Sequence, residues 1–183
     1  MIRTLIAVSL LVAAPALAED ELAAKGKPAP AFRLPVYNSK AVGATVVGLD
    51  KYLGADAPDK EAKVVLLSFM ASFCAPCKKE MPVLQALHEK YAAQGLRVMM
   101  VSIDTEPAGQ KIIDELIATN KVTFPVLKDR FNLVARRWLG TQSPLPSLFM
   151  VRSDGTVLSV HRGYSDESGA LLDTEVKEAL KIK

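Results

Sequence analysis

Unbroken apolar runs bounded by turn residues alternate with stretches in which apolar residues recur every three or four positions, and this alternation lays out strands and helices in turn. Val64-Val65-Leu66-Leu67-Ser68-Phe69 is apolar on both parities, as expected of a strand covered on both faces. The spacing of Val83, Leu84, Leu87 and Tyr91 predicts a helix over 78–93 that ends near Gly95, and Pro82 is expected to interrupt or kink it. A second central strand reads over 96–103, an amphipathic helix over 109–118, a short strand over 123–127 and a shorter helix over 132–139. Two late strands, 147–151 and 157–161, flank Asp154-Gly155, a hairpin turn signal because glycine readily accepts positive φ. An amphipathic helix over 171–182 closes the chain. Upstream, 45–49 reads as an early strand and 54–59 as a turn-rich interruption, while Lys25-Gly26-Lys27-Pro28 and Pro30 mark a mobile lead-in. No internal repeat or low-complexity tract appears. Helices alternating with strands, then an antiparallel hairpin, predict an α/β fold: a mixed central sheet with helices on both faces.

Length and charge narrow the class. The first 18 of the 183 residues run from Met1-Ile2-Arg3 through an apolar stretch to Pro15-Ala16-Leu17-Ala18, the layout of a secretory signal cleaved after Ala18. A retained membrane anchor is the alternative, although the apolar run is shorter than a normal bilayer span. No cysteine lies near the cleavage region, which argues against a lipoprotein. The expected organisation is a signal peptide over 1–18, a flexible lead-in over 19–30 and one domain over 31–183. The net charge of +3 falls to about +2 when Arg3 is lost, too small an excess to point to nucleic acid or an anionic membrane. Lys78-Lys79 reads as a solvated helix face or a modest field near the thiols.

The chemistry concentrates at Cys74-Ala75-Pro76-Cys77, which holds the two cysteines of the chain. A ring this small cannot staple distant segments, so its use is dithiol–disulfide exchange, with an inert local disulfide or half of a metal site as alternatives. Export would place the pair where disulfides persist. A cysteine just before a helix has its thiolate stabilised by exposed N–H groups and the helix dipole, so Cys74 reads as the attacking nucleophile and Cys77 as the resolving thiol. Pro76 removes one N–H donor near the sulfurs and stiffens the first turn. Zinc would need four ligands, and no second C-x-x-C completes them. His88 and His161 read as ordinary surface or partly buried side chains.

The stretch Phe69-Met70-Ala71-Ser72-Phe73-Cys74-Ala75-Pro76-Cys77-Lys78-Lys79-Glu80-Met81-Pro82 resembles the thioredoxin superfamily, in particular its exported TlpA/ResA-like branch. Ser102-Ile103-Asp104, Phe124-Pro125-Val126-Leu127-Lys128-Asp129 and Leu145-Pro146-Ser147-Leu148-Phe149 extend the resemblance from about Pro30 to the C-terminus. The resemblance implies a thioredoxin-like sheet and a redox-active Cys74–Cys77 disulfide with no further cofactor. It also implies a cis proline at Pro146 facing the cysteines, where a trans proline opening the next strand is the alternative. Glu80, one turn past Cys77, corresponds to an acidic residue of the exported branch. A raised pKa would let it take the proton when Cys77 attacks, whereas an exposed Glu80 would merely balance Lys78 and Lys79. Two departures stand out. Met70 and Phe73 occupy positions where the family commonly has tryptophan, which alters partner docking or only core packing, and Ser68 stands where thioredoxin has a buried aspartate.

These readings converge on an exported, monomeric, periplasmic thiol-disulfide oxidoreductase. The resemblance points to apocytochrome c haem-binding thiols, as in cytochrome c-type biogenesis, or copper-site proteins as substrates, with electrons from a membrane dithiol carrier. A disulfide oxidant or isomerase is the near alternative. Peroxide reduction would need a Pro-x-x-x-Thr-x-x-Cys context that 68–74 does not provide. A copper-binding assembly protein would use a wider cysteine spacing and a later histidine, such as His161.

Overall fold

The computed structural model describes residues 22–141 and 144–182, so the expected signal segment lies outside the described residues. Strand β3 (Val64–Met70) is buried at every position and forms the centre of a five-stranded sheet. Strands β4 (Leu96–Ser102) and β5 (Val126–Lys128) run parallel to it on one side. On the other side lie β6 (Ser147–Arg152), antiparallel to β3, and β7 (Val157–Arg162), antiparallel to β6, giving the order β5-β4-β3-β6-β7. The expected mixed sheet is thus present, and its thioredoxin-like topology follows from the two parallel crossovers and the closing hairpin.

Strict parity along β3 builds two cores. Val64, Leu66 and Met70 point to one face, where they meet α2 (Ala75–Tyr91), α3 (Pro107–Thr119) and α5 (Ser168–Leu180) through Leu84, Ile113 and Val176. Val65, Leu67 and Phe69 point to the other face, which α4 (Leu133–Leu139) covers with Val134 and Trp138. The Trp138 ring packs edge-on against Phe149 at 4.9 Å and Phe32 at 6.1 Å, and its Nε1–H donates to the Pro30 carbonyl at 3.1 Å.

The N-terminal region differs from expectation. A small hairpin of β1 (Arg33–Pro35) and β2 (Val46–Gly48) encloses the short helix α1 (Ser39–Val42), and a 3-10 turn over Leu49–Lys51 replaces the end of the expected early strand. The expected lead-in is tied down from Ala23 onward. Ala23 is buried, Gly26 N–H donates to the Val157 carbonyl, Val157 N–H to the Lys27 carbonyl, and Pro28 bridges to Thr156 beside the β7 edge. Val36 bridges to Leu127 on β5, so the same stretch crosses one sheet face and reaches both edges. Its prolines suggest a loop, yet they leave the carbonyls free to pair with an edge strand.

Candidate active site

Strand β3 delivers the chain to the site, and the loop after Met70 turns it into α2. The helix begins at Ala75 rather than at residue 78, so both cysteines belong to its first turn: Cys74 is the N-cap and Cys77 lies inside. Cys74 has extended backbone angles, φ −86° and ψ 100°, and its Sγ accepts from the Cys77 N–H at 3.2 Å. This is the contact an N-cap side chain makes to an orphan helix donor, here with sulfur as acceptor. The cysteines form a disulfide with a Cα–Cα distance of 5.3 Å. Cys74 keeps 7% of its surface exposed and Cys77 none, so a reacting partner reaches Cys74 first.

The loop before the cysteines is anchored by a buried carboxylate. Asp104 accepts from the Ser72 N–H at 2.9 Å, the Ser72 hydroxyl at 2.5 Å and the Ser102 hydroxyl at 2.8 Å. Gly109 packs over it: a Cβ there would lie 2.5 Å from Asp104 Oδ1. Ile103 N–H donates to the Met70 carbonyl, which ties the end of β4 to the start of the same loop. Asp129 similarly fixes α4, accepting from the Leu133 and Ala135 N–H groups at 3.1 and 2.7 Å.

Between these anchored pieces lies a groove of about 780 Å³ that reaches Cys74. Phe73, Pro76, Ile103, Ala135, Leu139 and Leu145 give it apolar walls, with Asn132 and Arg136 as polar members. Phe73 is 78% exposed, so it serves the surface and not the core; Met70, by contrast, is fully buried. Leu145 precedes Pro146 through a cis peptide bond. Pro146 is buried, its carbonyl accepts from the Gly163 N–H at 2.8 Å, and the next residue, Ser147, accepts from Arg162 Nη1 at 2.8 Å. The end of β7 thereby braces the Leu145-Pro146 turn that lines the groove with Cys74.

Glu80 lies three residues past Cys77, about one turn further along the same buried side of the helix. It is 2% exposed, and burial pushes its carboxyl up to about 7 while a hydrogen bond from Ser68 pulls the other way. The Ser68 hydroxyl donates to Glu80 Oε2 at 2.5 Å. The alternative of an exposed, lysine-balancing Glu80 therefore does not hold. His88 and His161 lie away from this cluster. His88 packs edge-on to Phe124, its pKa lowered mainly by burial, and His161 Nε2 contacts Glu175 at 2.9 Å. Among the described residues no group of three or more metal-ligating side chains comes together.

Sequence reasoning did not foresee the Ser68–Glu80 contact, the Asp104 anchor or the groove wall from α4. The available signal for the first was a lone polar residue in an apolar strand, on the parity that faces the cysteine helix.

Comparison with known proteins gives one consistent picture. The model of the AhpC/TSA family matches residues 25–160. The chain is 32% identical over 105 residues to the thiol-disulfide oxidoreductase ResA of Oceanobacillus iheyensis, covering 57% of this chain and 52% of that protein. It is 27% identical over 151 residues to ResA of Bacillus subtilis, covering 82% and 74%. It thus spans about half the length of several curated relatives it matches, with 55% coverage of the Bacillus cereus ResA as another case. Among solved structures, one assigned to a thiol:disulfide interchange protein DsbE of Chlorobium tepidum superposes with a TM-score of 0.70 at 28% identity, over 86% of this chain and 99% of that one.

Proposed function

Because the chain belongs to the AhpC/TSA family and shares the thioredoxin fold of its ResA-like relatives, we propose that it is an exported thiol-disulfide oxidoreductase that reduces disulfides in other exported proteins. The observation that carries this reading is the placement of Cys74 as helix N-cap at the groove surface, with Cys77 and Glu80 buried behind it.

In the reduced protein the Cys74 thiolate, favoured at a helix N-terminus, attacks one sulfur of a substrate disulfide. A Cys74–substrate bond forms and the other substrate sulfur leaves as a thiolate. Glu80, in its ionised form, takes the Cys77 proton. The Cys77 thiolate then attacks Cys74, the internal disulfide forms, and the second substrate thiolate departs. Two electrons have passed from the dithiol to the substrate, and an external dithiol must return them. The apolar groove holds an extended segment of the substrate protein beside Cys74, with Phe73 as the exposed contact in place of an indole.

The protein acts in the periplasm after cleavage following Ala18, as a monomer. Its electrons come from a membrane dithiol carrier, and its substrates are disulfides in partner proteins such as apocytochrome c or copper-site assembly proteins. The names of the ResA relatives support the chemistry and leave these partners to be identified.

The test is a trapping variant. Cys77→Ser leaves Cys74 able to form the mixed disulfide but unable to resolve it, so covalent adducts with exported proteins accumulate, whereas Cys74→Ser forms none. Absence of adducts, under conditions where the wild type turns over a disulfide substrate, overturns the mechanism. The reduction potential of the pair decides direction: a value below roughly −220 mV gives a reductant, and one near −120 mV gives an oxidant and displaces the reductase reading.

A further inference from the structure

We propose that Ser68 is a positioning residue for the Glu80 carboxyl: its hydroxyl fixes Oε2 on the buried side of α2, one turn beyond Cys77, and sets the pH range in which that carboxyl can receive the Cys77 proton. The inference deepens the function proposed above and rests on Glu80 acting there as the proton acceptor.

The argument begins with strand parity. Every residue of β3 is buried, and Ser68 is its one polar side chain. A hydroxyl left without a partner at such a position is destabilising, so an alanine or valine would suit the strand better unless the hydroxyl has a use. Its neighbours across the sheet, Met100 on β4 and Leu148 on β6, are apolar and offer no side-chain oxygen. Parity places Ser68 with Leu66 and Met70 on the face that α2 covers, and the phase of α2 brings Glu80 onto it. The O···O distance of 2.5 Å lies in the charge-assisted range.

Few other charges act on this carboxyl. Cys77 shares its helix. Tyr164, in the loop after β7, is influenced by the Glu80 charge and by Asp166; burial raises the Tyr164 hydroxyl further above 10, so it stays neutral while Glu80 titrates. From α5, Asp173 binds Lys90 and Tyr91 near the other end of α2, and Lys177 pairs with the same aspartate. Ser68 is thus the fixed polar group that distinguishes the two forms of Glu80, and burial is the force it opposes.

The experiment reads Glu80 directly and needs no turnover. With 13C-labelled glutamate in the oxidised protein, Ser68→Ala is expected to move the Glu80 carboxyl titration upward by about one pH unit, tenfold in proton affinity, as loss of a hydrogen bond to a charged group implies. In the wild type, the Ser68 hydroxyl proton resonance is expected to shift with the same midpoint as the Glu80 carboxyl carbon. An unchanged or lowered midpoint in the alanine variant overturns the proposal. Should that variant not fold, a wild-type hydroxyl signal indifferent to Glu80 titration overturns it instead. In the reduced protein, the pH at which mixed-disulfide release reaches half its maximum moves up by the same amount as the Glu80 midpoint. Because the carbon titration is independent of activity, a failed oxidoreductase assay leaves this test standing, and a failed titration leaves the trapping experiment standing.

Discussion

Glu80 pits function against stability. The folded protein retains a proton at this carboxyl up to about pH 7, whereas the unfolded chain releases it near 4.5. Between those values the native state binds more protons than the unfolded one, so stability falls as pH rises, by about 3 kcal/mol in all, and levels off above the folded pKa. Glu80→Gln removes that slope. Denaturant midpoints measured from pH 5 to 8 are therefore expected to show a wild-type stability that declines relative to the variant; parallel curves refute the assignment. Taking the difference also cancels His88, whose lowered pKa contributes the opposite slope. The same substitution is expected to slow turnover by about 10²-fold, the lower range for loss of a general base. The two thiols were legible from their spacing alone. The partner of Glu80 was not, because finding it requires the parity of β3 and the rotational phase of α2 together, and neither is fixed until the two elements pack.

At the scale of elements, proline explains where pattern and structure part. Residues 123–127 read as a strand, but Pro125 has no N–H for the ladder, and β5 begins only at Val126. The bypassed backbone is satisfied by side chains instead: Asn38 Nδ2 donates to the Phe124 carbonyl at 2.8 Å, and the Thr123 N–H donates to Gln85 Oε1 at 3.0 Å. Pro82 has the opposite outcome, since α2 continues from Ala75 to Tyr91 with the proline inside it. It is exposed, and the apolar face of the helix packs firmly enough to carry the missing hydrogen bond. Pro82→Ala restores a backbone donor with little loss of packing, and equilibrium unfolding is expected to show a gain of about 1–3 kcal/mol. A destabilised variant would mean that the proline shapes the helix in a way the sheet depends on.

At the scale of the whole molecule, the sheet separates the redox chemistry from the main aromatic core. The cysteines belong to the core that α2, α3 and α5 share, while Trp138 lies across the sheet among Phe32, Phe69 and Phe149. Its emission is therefore expected to keep its maximum when Cys74–Cys77 is reduced and to move to the red only on unfolding. A redox-dependent shift would show that α4 moves with the disulfide. The α/β class and the alternation of elements were readable from hydrophobic period, but the path of residues 26–37 was not, since edge pairing by a proline-containing stretch leaves no periodic trace. That stretch meets β7 through Pro28 and β5 through Val36. One short segment thus covers the start of β7 at one edge and β5 at the other, and a chain beginning after residue 37 would bare backbone groups at both edges at once, each a template for fibril-like pairing.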